Sequence, residues 1–254
     1  MKSSYYKYFA ALLLFGSNGI VASNINLPSY EIVLLRLLLG SLFLITVFTV
    51  SRQRFTFYRN KHTCLYLFIS ASAMGASWML LYEAYQQVGV SIASLAYYCG
   101  PVIVMILSPF LFRETLTWPK IAGFLTVLAG MCLVNLQALD EGKTIWGLFC
   151  GLMSAFMYAL MVTANKKAKP ESGLENSLLQ LVIGSFIVVA FVSMQKNFVL
   201  SLTTIDWIPV LLLGLLNTGI GCYLYFSSIT DLPVQTVATV SYTHLRAHET
   251  AANL

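Results

Sequence analysis

Eight stretches of about twenty residues, each nearly free of charge, follow one another along this chain and leave almost no room for a soluble fold. They run Tyr6–Ala22, Tyr30–Val50, Cys64–Gln87, Val90–Phe112, Pro119–Leu136, Ile145–Ala164, Glu175–Met194 and Trp207–Ile229, and a ninth begins near Pro233. A helix needs about 20 predominantly apolar residues to cross the hydrocarbon core of a bilayer. Only helices and closed barrels satisfy every backbone polar group there. None of the stretches alternates with the period of two that a barrel strand requires. The expected fold is therefore all-α, a polytopic bundle of transmembrane helices. Composition agrees, with 58% hydrophobic and 10% charged residues and a mean hydropathy of +0.76, outside the range of soluble domains.

The formal net charge of +5 does not describe a nucleic-acid surface, because the lysines and arginines sit in short gaps between apolar stretches. Lys2, Lys7, Arg52, Arg54, Arg59, Lys61, Arg113, Lys120, Lys166, Lys167 and Lys169 fall on alternate gaps that include the N-terminus, whereas Lys143 and Lys196 fall on the others. Short cytoplasmic loops carry the positive excess, so the N-terminus is expected in the cytoplasm. The five cysteines, Cys64, Cys99, Cys132, Cys150 and Cys222, are scattered through apolar sequence with no C-x-x-C pair. They read as small apolar residues, and neither a metal nor a cofactor is expected.

The second stretch contains Glu31-Ile-Val-Leu-Leu-Arg36-Leu-Leu-Leu-Gly40-Ser41 and the seventh Glu175-Asn-Ser-Leu-Leu-Gln180-Leu-Val-Ile-Gly184-Ser185, so that six of eleven positions are identical at a constant offset of 144. A weaker match sets Tyr82-Glu-Ala-Tyr85 beside Tyr223-Leu-Tyr-Phe226. The chain thus reads as two halves designed for five spans each. An odd number of crossings sends the second half into the membrane from the opposite side, which gives the inverted repeats of many secondary transporters. The expected partners are a small-molecule substrate and the lipid bilayer, with no nucleic acid and with a homodimer allowed.

Ionisable residues inside spans are costly and default to functional roles. Arg36 and Glu83 lie at similar depth from the outer side, and a pair between them, or between Arg36 and Glu31, would form an outer gate or a clamp for a substrate carboxylate; a structural ion pair or snorkelling is the competing reading. Gln180 stands in Arg36's place in the second half. Asn18, Trp78, Tyr82, Tyr97, Tyr98, Tyr158, Asn217 and Tyr223 supply the aromatic and amide groups that a substrate cavity needs among apolar walls; aromatic residues also populate membrane interfaces. Pro101 and Pro109 are expected to kink the fourth span, and Glu114 to make a contact at its cytoplasmic end. No span carries the aspartate-rich, histidine or paired-acid motifs of membrane-embedded enzymes. A carrier is favoured, with a channel as the alternative.

The stretch Pro101-Val-Ile-Val-Met-Ile-Leu-Ser-Pro109-Phe-Leu-Phe-Arg113-Glu114-Thr-Leu-Thr-Trp-Pro119-Lys-Ile-Ala-Gly123, followed by Leu128-Ala-Gly130, resembles the EamA domain of the drug/metabolite transporter superfamily. Gly214-Leu-Leu-Asn-Thr-Gly219-Ile-Gly221-Cys-Tyr-Leu-Tyr225 resembles the eighth span of the same family. The resemblance implies ten helices in two inverted repeats around a central cavity, moving a small metabolite such as an amino acid or a nucleobase. One departure is Phe15-Gly16, where the family often has Trp before the glycine of the first span.

The ending Val240-Ser-Tyr-Thr-His244-Leu-Arg-Ala-His248-Glu-Thr250 breaks the apolar pattern and reads codon for codon as a translated transposase-type sequencing adapter. The expected organisation is a first repeat over 1–138, a second, incomplete repeat over 139–240, and an adapter-derived tail over 241–254.

Overall fold

The computed structural model describes residues 2–22, 24–25, 27–114, 145–194 and 207–238, with isolated positions between 118 and 130. Most of the fifth span, Cys132 and the tail after residue 238, together with what the sequence suggests for them, lie outside the described residues. Among the described residues there are helices and no strands. Six helices are long and apolar enough to cross a membrane: Tyr30–Val50, Lys61–Val88, Val90–Phe112, Ile145–Ala168, Gly173–Ser193 and Trp207–Ile229. They correspond to spans two, three, four, six, seven and eight. Span one is built from two shorter helices, Lys2–Gly16 and Asn18–Ala22. The outer faces carry large apolar side chains such as Phe110, Phe186 and Ile208 at 80, 70 and 71% exposure. In water such a surface would aggregate; in a bilayer it is solvated.

Proline chemistry shapes span four. The ring of a proline clashes with the carbonyl four residues earlier and removes one helical hydrogen bond. Pro101 opposes Tyr97, and the span divides there into Val90–Tyr97 and Cys99–Phe112. Pro109 stays inside the second helix and frees the carbonyl of Met105, to which the Ser108 hydroxyl donates at 2.9 Å. Such side-chain repair is what a membrane interior demands. Span eight has its own irregularity, a π-helical segment Leu212–Ile220, in which the Thr218 hydroxyl donates to the Leu213 carbonyl at 2.7 Å.

The two halves meet reciprocally. Ser41 and Ser185, which share one position in the repeat, touch each other at 2.9 Å. A residue can contact its own mate only at the rotation axis. Around that point a Cβ on Gly40 would meet Thr218 and Leu181, while one on Gly184 would meet Met74 and Leu37, and each of these pairs keeps the offset of 144. Both glycines are needed for the close approach: the Cβ of Gly40 would fall 2.7 Å from Thr218 Cγ2 and that of Gly184 2.9 Å from Met74 Cε. The same register places Tyr82 level with Phe226, so the alignment of Tyr82 with Tyr223 read from sequence is about one helical turn out.

Long-range hydrogen bonds collect the N-terminus and the links after spans two, four, six and eight at one end, here the basic end. Ser4 donates to Asp231 at 2.9 Å, Ser172 to Gln53 at 3.0 Å, and Thr63 to the Ala168 carbonyl at 3.0 Å. Spans two, four and six finish there with basic residues in the left-handed region, Arg52, Arg113 and Lys169 at φ 50°, 57° and 48°. A left-handed residue closes a helix C-terminus, and a cation there complements the helix dipole. The charge bias of the loops is therefore also a capping device.

Candidate functional site

Arg36 is the charge set deepest in the described bundle. It lies six residues after Tyr30, the start of span two, or about 9 Å along the helix at 1.5 Å per residue, and it is only 2% exposed. Its Nε donates to Thr218 Oγ1 at 3.0 Å and its Nη1 to the Tyr82 hydroxyl at 2.8 Å. The guanidinium carbon lies 4.2 Å from the centre of the Trp78 ring and 5.8 Å from that of Tyr82. Its Nη2 is buried with no hydrogen-bond partner among the described residues. Thr218 lies in the π segment, whose widened turn presents it to span two while Asn217 beside it faces span one. Such segments recur at functional sites.

The expected pairing of Arg36 with Glu83 or Glu31 is not formed. Adjacent residues on a helix point about 100° apart, so Tyr82 turns toward Arg36 while Glu83 turns away to accept from Tyr30 and, at 3.1 Å, from Gln87. Glu31 precedes Arg36 by five residues and points from a different face of the same helix; its Oε2 is also buried without a partner among the described residues.

Of the other residues singled out from sequence, all but Gln180 and Tyr223 fall into three groups. Trp78 and Tyr82 belong to Arg36. Asn217 donates to Ser17 at 3.0 Å and to Asn18 at 2.9 Å, holding the break in span one against span eight. Tyr158 meets the Tyr225 hydroxyl at 3.0 Å and stacks edge-on with Tyr97, 5.4 Å between ring centres; Tyr98 follows at 6.4 Å from Tyr97. Gln180, fully buried, is bonded to Ser70 at 3.0 Å. Tyr223 is displaced from all of these: it lies under Lys7, 5.9 Å from the ammonium, in a cleft at the basic end. Its place in the aromatic group is taken by Tyr225, which also packs on Tyr8 and Phe15. Thr218, Ser70 and Tyr225 carried no signal that distinguishes them in sequence, because short hydroxyl and aromatic residues are frequent in every span.

Below the aromatic group a band of hydrogen bonds crosses the described bundle toward the basic end. Tyr8 donates to the Val237 carbonyl at 2.8 Å and Gln235 to Ser108 at 3.2 Å. Glu114 accepts from the backbone amides of Val234 and Gln235 at 2.9 and 3.0 Å. These amides open the helical turn at residues 234–238, where the dipole and unpaired N–H groups favour a carboxylate. Opposite, the Lys166 ammonium donates to the carbonyls of Ile229, Thr230 and Leu232 at the end of span eight. A cavity of about 320 Å³ lies between the loops at this end, walled by Arg59, His62, Lys167, Glu171 and Glu175. It is a seam between loops and does not reach Arg36. No group of three metal-ligating side chains occurs among the described residues.

Comparison with known proteins gives a consistent picture. The family described as EamA-like transporter matches residues 3–136 and again residues 145–245. An uncharacterized transporter of Bacillus subtilis (strain 168) is 26% identical over 243 residues, covering 93% of this chain and 76% of that protein. A biotin transporter of Salmonella typhimurium is 22% identical over 191 residues, covering 74% of this chain and 64% of that protein. Among solved structures, a crystal structure covering 98% of this chain and 87% of its own superposes with a TM-score of 0.78 at 17% identity, a likeness of fold alone.

Proposed function

The chain belongs to the EamA-like transporter family, and from that membership we propose that it carries a small metabolite, such as an amino acid or a nucleobase, across the inner membrane by alternating access, with its N-terminus and basic end in the cytoplasm. The observation that carries this reading is a buried polar centre with a band of contacts between it and the basic end. Between the Arg36 group and the basic end lie the Tyr158–Tyr225 contact, the Ser108–Gln235 bond and the Glu114 cap. Reciprocal contacts about an axis at Ser41 and Ser185 support a rocking of one half on the other, which is how inverted repeats expose a midplane site to alternate sides. Opening toward the cytoplasm would release Glu114 from span nine and part Tyr158 from Tyr225.

The test is flux in proteoliposomes containing the purified protein with both repeats complete, with a mixture of labelled amino acids, nucleobases and vitamins that includes biotin, the compound in the name of the Salmonella relative. Saturable uptake with counterflow is expected. Flux that stays linear in solute concentration would establish a channel instead. Glu114→Ala should lower the maximal rate at least tenfold, because it removes both amide contacts of that band.

A further inference from the structure

We infer that the substrate carries a carboxylate and that this group docks on the free face of the Arg36 guanidinium, with Trp78 lying flat against the cation. The inference rests on the transport reading above and names the substrate class of the same site. A guanidinium offers five N–H donors in a planar fork. Two are used here, Nε on Thr218 and one N–H of Nη1 on Tyr82. Neither donor of Nη2 has a partner among the described residues, although the residue is 2% exposed. The open edge between Nη1 and Nη2 has the geometry that receives a carboxylate with two parallel hydrogen bonds.

Charge points the same way. Threonine, tyrosine and tryptophan around Arg36 are all neutral, and a buried cation without a counter-charge is strongly unfavourable. Among the described residues the acid inside span three, Glu83, is directed to Tyr30 and Gln87, while Glu175 and Glu114 lie at the basic end, on Thr56 and Phe57 and on Val234 and Gln235. Glu31 lies on another face of Arg36's own helix. The missing negative charge therefore arrives with the ligand. One guanidinium among neutral groups balances one charge, which favours a monoanion over a phosphate dianion. The repeat supplies an internal control. Gln180, at the matching position, is fully buried and satisfied by Ser70, so the centre has a single anion-binding side. The rings of Trp78, Tyr82 and Tyr85, the last two 5.2 Å apart, offer flat apolar surface for the body of the molecule.

The probes are phenylacetate, its neutral amide phenylacetamide, and chloride, titrated onto the purified chain in nanodiscs. The readouts are thermal stabilisation and tryptophan fluorescence. Phenylacetate should bind saturably, at least tenfold more tightly than the amide, and perturb the fluorescence of Trp78. Trp78→Phe should remove most of the optical signal and reduce the thermal shift by less than Arg36→Gln does. Arg36→Gln should weaken phenylacetate binding at least tenfold and abolish the preference over the amide; Arg36→Lys, which keeps the charge without the fork, should fall between. Equal binding of acid and amide by the unaltered chain would overturn the proposal without recourse to any variant, as would displacement of phenylacetate by chloride at equal concentration. Proteoliposomes separate this from the transport reading. Saturable uptake of a neutral solute that Arg36→Gln leaves intact would refute the carboxylate and keep the carrier. Carboxylate binding that needs Arg36, with no saturable flux of any solute, would keep the site and refute the carrier.

Discussion

Arg36 and Gln180 occupy one position in the two halves of the chain, and Glu31 and Glu175 another, yet neither pair behaves alike. Gln180 closes a small neutral network with Ser70, whose hydroxyl also reaches the Met161 carbonyl at 2.9 Å; Arg36 leaves a nitrogen open beside an aromatic face. Glu175 takes the Thr56 hydroxyl at 2.6 Å and the Phe57 amide at 3.0 Å, and its own amide is capped by Ser172; Glu31 keeps an oxygen without a partner among the described residues. A duplicated backbone thus carries one half tuned for closure and one that retains unspent polar capacity. In a symmetric frame, function resides in the positions where symmetry is broken.

The largest expected effect comes from forcing the halves to match in the wrong direction. Gln180→Arg would place a second cation where the side chain is fully buried and where only hydroxyl and carbonyl groups are in reach. A charge at the centre of a span costs roughly 2.5–3.5 kcal/mol on insertion scales. The variant should accumulate poorly in membranes or melt well below the unaltered protein. Arg36→Gln, by contrast, removes a desolvated charge and should melt no lower than the parent while losing the anion preference. Were Gln180→Arg to melt like the parent, the centre would be wetter and more symmetric than its contacts imply.

The second comparison is between the glutamates. Glu175→Ala would strip acceptors from two backbone amides and a hydroxyl in the link after span two. Hydrogen bonds to a charged group contribute about 1.5–3 kcal/mol each, and an abandoned buried donor costs about 1–3 kcal/mol. A destabilisation of about 3 kcal/mol is expected in detergent unfolding. Glu31→Ala should cost under about 1 kcal/mol, because only the packing of its stem is lost. Equal losses at the two sites would show that Glu31 is as fully engaged as Glu175.

Much of this architecture was legible in the sequence, and the parts that were not have physical causes. The starts and ends of spans two, three, four, six and seven follow apolar length, because a bilayer imposes the same requirement on every crossing. The repeat was visible because Glu, Gly and Ser coincided at one offset, and Gly40, Gly184, Ser41 and Ser185 prove to be the residues at the axis. The break in span one at Ser17 was hidden, since the side chain bonded to it, Asn217, is two hundred residues away. The π segment of span eight was hidden as well, and with it the reach of Thr218 to Arg36. Arg36 could be singled out because a lone cation within an apolar run is conspicuous; its neutral partners could not, because Tyr82 and Glu83 are adjacent in sequence and only the helix phase decides which one meets it. Helix phase likewise decides that Tyr225, two residues after Tyr223, is the one that meets Tyr158.

The smallest expected effect concerns the axis itself. The Ser185 hydroxyl donates back to the Leu181 carbonyl at 2.7 Å, so its proton is committed and Ser41 must be the donor in the contact between the two serines. Ser41→Ala removes that donor and leaves the bond from Ser185 to Leu181 intact. Ser185→Ala removes the acceptor, and the freed Ser41 hydroxyl can turn to the carbonyl of Leu37, four residues back on its own helix. Neither change strands a polar group, and both should cost well under 1 kcal/mol. Hydrogen bonds between membrane helices measured by double-mutant cycles average about 0.6 kcal/mol. The cycle over Ser41→Ala, Ser185→Ala and the double variant should return a coupling of about that size, read from unfolding in detergent. A coupling indistinguishable from zero would mean that the serines are adjacent only as small residues that let spans two and seven approach, and that Gly40 and Gly184 alone hold the two halves in register.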